Sequence, residues 1–308
     1  MLITDQKTEI KSVRTALTIG KFDGLHIGHM KIVETMLSAA AGSTGEGEPL
    51  SKLVVSFVNH PDELLKGDFK GFLLSETEKT DILMNKGIDY YCPLVFDDEM
   101  RNTEASDFFK KYIIDTWHCA CLVVGDDFCF GKNRAGNLDF LGKACNENNI
   151  RLIIVPREEY LGEPVSSSRI RKALEAGEIA EADIMLGRRY CVKGIVERGN
   201  RLGHSIGFPT VNIPIPQGKF KPRFGVYGAE ARLKGKKYKA LANVGVKPTV
   251  GEGYRALCEA NILDFDEDAY DCYAEISLES FLRPEKRFDS LDELKKQIEK
   301  DKKSFTNV

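Results

Sequence analysis

The sequence lacks several features that would assign a class of protein at once. Its 308 residues carry a formal net charge of −3, without the basic excess that nucleic-acid-binding proteins usually show. No stretch approaches the roughly 20 consecutive apolar residues that span a bilayer. The first residues mix charges with apolar side chains and do not form a signal peptide. We therefore expect a cytoplasmic protein that binds neither nucleic acid nor membrane, and the sequence indicates no protein partner.

Common motifs of kinases and hydrolases are missing or stand in the wrong context. No GxxxxGK[ST] occurs, which excludes a P-loop kinase. Residues 203–207, GHSIG, match the GxSxG pattern of serine hydrolases, but Pro209 follows where that motif requires a helix. Residues 251–256, GEGYRA, match GxGxxA without a βαβ unit around them, which favours a hairpin loop.

Cysteine is present but forms no scaffold. The chain has 8 cysteines and no CxxC pair, a usage typical of reduced core residues in the cytosol. Residues 117–121, WHCAC, could be read as a metal cluster. They run directly into the apolar residues 122–124, which favours a buried strand that carries incidental thiols.

The patterns that are present predict two different domains. The composition, 42% hydrophobic and 30% charged, is that of a globular protein, and the length suggests about two domains. The first half alternates strand-like and helix-like segments, which predicts an α/β fold with a parallel sheet covered by helices. The predicted strands are 16–19, 53–57, 122–124 and 152–155, with helices at 30–41 and 104–115 among them.

After about residue 186 the pattern changes to short strands separated by Gly, Pro and Lys clusters. The predicted strands are 190–196, 225–232, 238–246, 258–263 and 273–278, a pattern typical of a small antiparallel β-barrel. A closing helix is predicted over 290–301, with Ser290 as N-cap and Glu293 three residues later. A helical segment, 174–189, holds the boundary, which we predict between domains 1–183 and 184–308.

Residues 20–29, GKFDGLHIGH, lie between the first predicted strand and the first helix. Gly24 and Gly28 allow a sharp turn and a close approach of a ligand to the backbone. His26 and His29 are three residues apart, so they share one face at the start of the helix. Together with the free amides and positive dipole of the helix, they predict a phosphate site. A chance helix cap and a metal site are the alternatives.

This segment resembles the HxGH signature of the nucleotidyltransferase superfamily, which implies a Rossmann-like sheet and binding of the ATP triphosphate. Residues 165–171, VSSSRIR, resemble the second signature of that superfamily, with Ser168 where Thr is usual. Residues 125–131, GDDFCFG, resemble a segment of the FAD synthetase branch that lines the flavin end of its pocket. The resemblance implies catalytic roles for His26, His29 and Arg171. It implies binding roles for Gly20, Phe22, Asp23, Gly24, Gly28, Gly125, Asp127, Phe128, Ser167 and Ser168.

The second half contains residues 207–212, GFPTVN. Thr210 and Asn212 point the same way on an extended segment, and a hydroxyl and an amide oxygen suit Mg²⁺. This segment and the later 225–227, 242–245, 247–249, Glu259 and 281–288 resemble the riboflavin kinase family in order and spacing.

The combined resemblance, over almost the whole chain, is to the prokaryotic bifunctional riboflavin kinase/FMN adenylyltransferase family. It implies that ATP phosphorylates riboflavin to FMN and then adenylylates FMN to FAD, with Mg²⁺ as cofactor. It further implies that Glu259 is the general base of the kinase, that Thr210 and Asn212 bind the metal, and that Gly207 and Pro209 contact the nucleotide.

Three residues depart from the family pattern: Asn261 replaces a common His, Leu202 a common Arg, and Asp271 a common Gly. The remaining alternative is that one half is a flavin- or nucleotide-binding regulatory module without activity.

Overall fold

The computed structural model describes residues 1–4, 13–42, 49–59, 69–198, 210–249, 253–265 and 267–306. These residues form two compact units. The first consists of Met1–Lys70 and Leu74–Ser166, and the second of Gly71–Leu73 and Ser167–Val308. In the described part of the chain, no helix has the length and apolar character needed to cross a membrane.

The first unit is a six-stranded parallel sheet in the order β1-β4-β3-β2-β5-β6. The strands are β1 Leu2–Ile3, β2 Thr15–Gly20, β3 Ser51–Phe57, β4 Tyr90–Leu94, β5 Cys119–Gly125 and β6 Arg151–Val155. The helices are α1 Ile27–Ala41, α2 Glu76–Asn85, α3 Asp98–Asn102, α4 Ala105–Phe108 and α5 Leu138–Glu147, and a π-helix, Phe109–Thr116, continues α4. A short hairpin follows, β7 Glu159–Tyr160 and β8 Glu163–Pro164.

Both faces of this sheet are buried, as parallel sheets require. Alternate residues of β2 belong to different hydrophobic clusters: Leu17 and Ile19 lie in one, and Ala16 lies in the other. The near-continuous apolar strands of the sequence therefore reflect burial on two sides, and the predicted α/β fold is confirmed.

The second unit begins with two helices and continues as an antiparallel sheet. The helices are α6 Ser167–Ala176 and α7 Ile179–Leu186. The strands are β9 Cys191–Ile195, β10 Thr210–Pro214, β11 Gly225–Leu233, β12 Lys236–Thr249, β13 Gly253–Ile262 and β14 Tyr273–Arg283, in the order β10-β13-β12-β11-β14-β9. Helix α8, Leu291–Thr306, closes the unit.

The sheet of the second unit curves into a nearly closed barrel. Glu197, just after β9, donates its backbone N–H to the carbonyl of Asn212 on β10 at 2.8 Å, which links the two ends of the sheet. The predicted cap of the closing helix is present, since Glu293 N–H donates to Ser290 Oγ at 3.2 Å. The barrel and its closing helix are thus confirmed.

Residues 174–189, predicted as one helical segment, contain the end of α6 and the whole of α7. The two helices meet at Gly177, whose φ is +85°. A Cβ at this position would lie 3.0 Å from Cγ of Phe281 on β14. Glycine is therefore needed both for the backbone conformation and for the close approach of a barrel side chain.

Candidate functional sites

The predicted turn follows the central strand of the parallel sheet. Strand β2 lies between β3 and β5, so the connections after it run to both sides of the sheet. Ligands of open α/β sheets bind at this switch point, outside the carboxyl ends of the strands. The structure thus places residues 20–29 where the topology favours a ligand.

The turn adopts an unusual backbone conformation. Phe22, Gly24 and Leu25 have φ values of +43°, +84° and +39°. A left-handed conformation costs a residue other than glycine about 1–2 kcal/mol. Phe22 and Leu25 are 1% and 0% exposed, and burial of their side chains offsets this cost. Asp23, between them, is also buried.

The two histidines lie against each other at the start of α1. His26 is the N-cap, and its Nδ1 accepts from the backbone N–H of His29 at 3.4 Å. Their rings are stacked, with centroids 3.6 Å apart. Because Nδ1 accepts, the neutral His26 ring carries its proton on Nε2, which can donate to a phosphate oxygen. The first turn of α1 contains no acidic residue, and the positive end of the helix dipole favours an anion there.

Gly28 makes room for this arrangement. A Cβ on Gly28 would lie 3.3 Å from Cε1 of His26. The same Cβ would lie 3.8 Å from Cβ of Glu158, which pairs with Lys31 of α1. Gly28 thus allows the His26 ring and the segment after β6 to approach the same helix turn.

The end of β5 lies beside this turn. A Cβ on Gly125 would lie 3.4 Å from Cδ1 of Ile32 on α1 and 3.2 Å from Oδ1 of Asp127. Asp126 holds Arg157, after β6, in an ion pair of 2.9 Å. The predicted residues Gly125 and Asp127 therefore lie at the same edge of the sheet as the histidines.

Phe128 and Phe130 follow at the end of β5, with ring centroids 5.7 Å apart. Phe130 also contacts Phe108 of α4 at 5.0 Å between centroids. Both rings are half-buried and pack against the core of the first unit. They support that core, and a flavin role for Phe128 stays a prediction.

Ser167, Ser168 and Arg171 belong to the second unit and begin α6. Ser167 is half-buried and Ser168 is exposed. Arg171 donates from Nε and Nη2 to the carbonyl of Gly71, at 3.1 and 2.9 Å. Two of its five N–H donors are thus used on a backbone carbonyl, and these bonds fix the orientation of the guanidinium group.

The residues predicted for the kinase reaction form a polar row on the barrel wall. Asn212 on β10 and Asn243 on β12 are both directly opposite Glu259 on β13, and Thr210 is opposite Asn261. Directly opposite residues of antiparallel strands share a face. The neighbouring positions, Val211, Ile213, Ala242, Val244, Cys258 and Ala260, are buried apolar residues. The row therefore lies on the outer face of the barrel.

Asn212 fits a metal ligand by its surroundings. Its side chain is 5% exposed, and its Oδ1 has no hydrogen-bond partner among the described residues. A buried amide oxygen without a partner is costly, and a cation would satisfy it. Thr210, two residues earlier, presents its hydroxyl on the same face. Gly207 and Pro209 lie outside the described residues, as does Leu202.

The sequence did not assign a role to Glu285, which lies beside this row. Asn243 donates from Nδ2 to Glu285 Oε1 at 3.2 Å. A Cβ on Gly245 would lie 2.9 Å from Cδ of Glu285, so the carboxylate occupies the space that glycine leaves. Only the three-dimensional pairing of the strands brings these residues together.

The structure explains one departure from the family pattern. Asp271 has a φ of +60°, in the left-handed region that glycine adopts without cost. Aspartate is among the few other residues that tolerate this conformation. Aspartate can therefore occupy a position at which glycine is common.

The cysteines are all described, and their surroundings can be compared with those of a metal site. Within the described ranges, no group of three or more His, Cys, Asp and Glu could hold a metal ion. Cys119 and Cys121 lie on the fully buried strand β5, and burial raises the pKa of the Cys119 thiol well above its usual range. The interpretation of residues 117–121 as the start of a buried strand is confirmed from Cys119 onwards.

Comparisons with known proteins identify a family for each half of the chain. The FAD synthetase family model matches residues 8–169, and the riboflavin kinase family model matches residues 186–308. A bifunctional riboflavin kinase/FMN adenylyltransferase of Listeria monocytogenes is 30% identical over 302 residues, which cover 97% of this chain and 93% of that protein. The protein of that name from Escherichia coli K12 is 34% identical over 287 residues, covering 92% and 90%.

The overall structure is also shared with a solved protein. A crystal structure named as a macrolide-efflux protein, from Streptococcus pneumoniae, matches with a TM-score of 0.86 at 28% identity and full coverage of both chains. The similarity thus extends over both units. The term macrolide efflux describes that protein and is not transferred to this chain. By its family models and its relatives over almost the entire length, the chain belongs to the bifunctional riboflavin kinase/FMN adenylyltransferase family.

Proposed function

We propose that the chain makes FMN and FAD with two sets of residues that share no member. Family membership carries both activities: riboflavin kinase, which transfers phosphate from ATP, and FMN adenylyltransferase, which releases pyrophosphate. The observation that supports two separate sites is the distribution of residues. The histidine turn belongs to the parallel sheet of the first unit, and the row around Glu259 belongs to the barrel of the second.

In the adenylyl transfer, an oxygen of the FMN phosphate attacks the α-phosphorus of ATP. The new O–P bond forms as the bond from the α-phosphorus to the bridging oxygen breaks, and pyrophosphate leaves. We assign His26 and His29 to the charge that develops on the phosphate oxygens, together with the amides at the start of α1. The superfamily resemblance assigns Ser167, Ser168 and Arg171 to the same reaction.

In the phosphoryl transfer, the terminal ribityl hydroxyl attacks the γ-phosphorus of ATP, and ADP leaves. We assign Glu259 as the base that accepts the hydroxyl proton and later releases it to water. Thr210 and Asn212 would hold Mg²⁺, which, when bound, offsets charge on the phosphate oxygens. Among the described residues, the Oδ1 of Asn212 has no hydrogen-bond partner, which supports this assignment.

We also propose that the chain works in the cytoplasm, with ATP and flavins as its ligands. All eight cysteines are free, and five of them are buried, as in a protein of a reducing compartment.

His29→Ala tests the first site. We expect loss of FAD formation from FMN and ATP, because a donor to the phosphate oxygens is removed, while FMN formation from riboflavin persists. Product chromatography after incubation with riboflavin, Mg²⁺ and ATP measures both at once. Equal loss of both products in a folded variant would contradict two separate sites. Wild-type protein that makes only one product would instead support the regulatory-module alternative.

Glu259→Gln and Asn212→Ala test the second site. Glu259→Gln keeps the shape of the side chain but cannot accept the proton, so kinase turnover should fall about 10²- to 10⁴-fold. Asn212→Ala should instead raise the Mg²⁺ concentration needed for half-maximal rate, and excess Mg²⁺ should partly restore it. FAD synthesis from supplied FMN is the control for both variants. Near-normal turnover of Glu259→Gln, or its rescue by Mg²⁺, would refute the assignment.

A further inference from the structure

Helix α2 carries a lysine whose side chain is almost entirely buried. Lys79 is 2% exposed, and it lies at the carboxyl end of β3. Its Nζ lies 3.1 Å from Ser56 Oγ, 3.3 Å from Glu76 Oε2 and 3.5 Å from the Phe57 carbonyl. Removing a cation from water is costly unless it is paired and hydrogen-bonded. The neighbours of Lys79 provide both kinds of partner.

Glu76 supplies the opposite charge. Its carboxylate pairs with Lys79 and also accepts a hydrogen bond from the hydroxyl of Tyr91, which is buried on β4. Burial, together with the nearby Glu76 carboxylate, raises the pKa of Tyr91, so this hydroxyl stays a donor. Glu76 thus balances the charge of Lys79. The second contact of Lys79, with the Ser56 hydroxyl, has a different consequence.

Ser56 connects the lysine to the turn that follows β2. It is fully buried and is paired with Gly20 in the last register position of β2 and β3. Its Oγ donates to the carbonyl of Lys21 at 3.0 Å. The serine hydroxyl therefore adds one hydrogen bond beyond the end of the strand ladder, directly before Phe22.

The lysine determines the direction of this hydrogen bond. An ammonium group only donates, so Ser56 Oγ accepts from Lys79 and its own proton remains for the Lys21 carbonyl. Without the lysine, the hydroxyl could rotate and lose the polarisation that a neighbouring charge gives to a hydrogen-bond chain. The carbonyl held in this way precedes the left-handed residues Phe22 and Leu25, which need support from their surroundings.

We infer that Lys79 is a positioning residue for the FMN adenylyltransferase reaction, acting through Ser56 on the backbone that carries His26 and His29. The inference rests on the proposed role of the two histidines. Lys79 need not touch a substrate, since its effect reaches the site through two hydrogen bonds and the turn.

The test compares Lys79→Met and Ser56→Ala with the control Lys86→Met in the full chain, assayed with FMN, ATP and Mg²⁺. Lys86 ends the same helix and pairs with Glu34 of α1 at 2.7 Å, but both partners are exposed. The control thus removes an equal charge from the surface. Thermal unfolding identifies a temperature at which each variant is folded, and FMN formation from riboflavin reports on the other site.

Displacement of a reacting group by 1 Å can cost about 10²-fold in rate, so we expect kcat for FAD formation to fall at least about tenfold in Lys79→Met. KM for ATP should change less than kcat. Ser56→Ala should lower kcat in the same direction, and Lys86→Met should leave it unchanged. Because both residues act along one path, the double variant Lys79→Met/Ser56→Ala should be no slower than the slower single variant.

Normal kcat in folded Ser56→Ala overturns the inference, whether or not Lys79→Met folds. Additive losses of kcat in the double variant overturn it too. Additivity would mean that the two residues act independently and not through the same chain of hydrogen bonds. His29→Ala is assayed in parallel. If that variant keeps its FAD formation, the proposed function has failed; if it loses FAD formation while the Lys79 and Ser56 variants keep theirs, only this inference has failed.

Discussion

Asp183, near the end of α7, makes the stability of the second unit depend on pH. Burial raises its pKa to about 6, although its bond from the Tyr190 N–H and the nearby Arg189 and Arg188 act in the opposite direction. The folded unit therefore binds the proton more tightly than the unfolded chain. This group contributes stability that is complete below its unfolded pKa and is lost as pH rises through 6.

Asp183→Asn should remove this pH dependence. In the wild type, Tyr190 N–H donates to Oδ1 of Asp183 at 2.7 Å. The amide oxygen of the variant can still accept this hydrogen bond, but the amide group does not ionise. Since Asp183 is partly exposed, we expect a gain of only about 1 kcal/mol at pH 7. Thermal unfolding at pH 5 and pH 7 measures the difference between wild type and variant. An unchanged pH dependence in the variant would show that another group causes it.

Individual residues could be predicted where their partners are close in sequence. The spacing of His26 and His29 predicts a shared face, and the structure stacks their rings. Alternation along a strand predicts the common side of Thr210 and Asn212. The contact between Lys79 and Ser56 has no sequence signal, because the sequence does not distinguish a helical lysine that faces solvent from one that donates to a buried hydroxyl.

Helix α8 is attached to the barrel at a glycine. A Cβ on Gly228 of β11 would lie 2.2 Å from Cδ2 of Phe305, so the ring lies directly on the strand backbone. Gly228→Ala should push this ring away and cost about 1–3 kcal/mol, as overpacking does. Calorimetry of the second unit should show a lower melting temperature.

The double variant Gly228→Ala/Phe305→Ala provides the control for this contact. Once the ring is gone, the added methyl group has no clash, so the two losses should sum to more than the double variant shows. Strict additivity would mean that Phe305 does not lie on Gly228.

Elements with a strong local pattern could be predicted, and elements that depend on neighbours could not. Strands β2, β3, β5 and β6 are apolar runs, and each was predicted within a few residues. Strand β4 was not, because Tyr90–Leu94 contains Pro93. Among the described residues, Leu2–Ile3 pair with Tyr90 and Tyr91, before this proline. Because a proline within a run argues against a central strand, the sequence pattern did not indicate β4.

At the scale of the molecule, the boundary between the domains can be tested with two fragments, 167–308 and 184–308. We expect the longer fragment to be more stable, because α6 and α7 contact the barrel unit. The Leu174 carbonyl accepts from Arg223 N–H at 3.0 Å, and Leu174 and Ile179, which only the longer fragment contains, are buried. Burial of such side chains contributes about 1.5–3 kcal/mol each.

Urea unfolding and FMN formation from riboflavin measure both properties of the fragments. If 184–308 is as stable and as active as 167–308, the predicted boundary at 183/184 holds. If only the longer fragment folds, the kinase unit begins with α6.

The second unit also includes Gly71–Leu73, which lie in the sequence between two segments of the first unit. Phe72 N–H donates to the carbonyl of Gly218 and Phe220 N–H donates to that of Phe72, both at 2.7 Å. A ribosome makes residues 71–73 well before residues 218–220, at about 5–20 residues per second. For some seconds Gly71–Leu73 therefore lack these partners while the residues between them and Gly218 are synthesised. In the nascent chain, the backbone groups of Phe72 therefore stay without these two hydrogen bonds until residues 218–220 leave the ribosome.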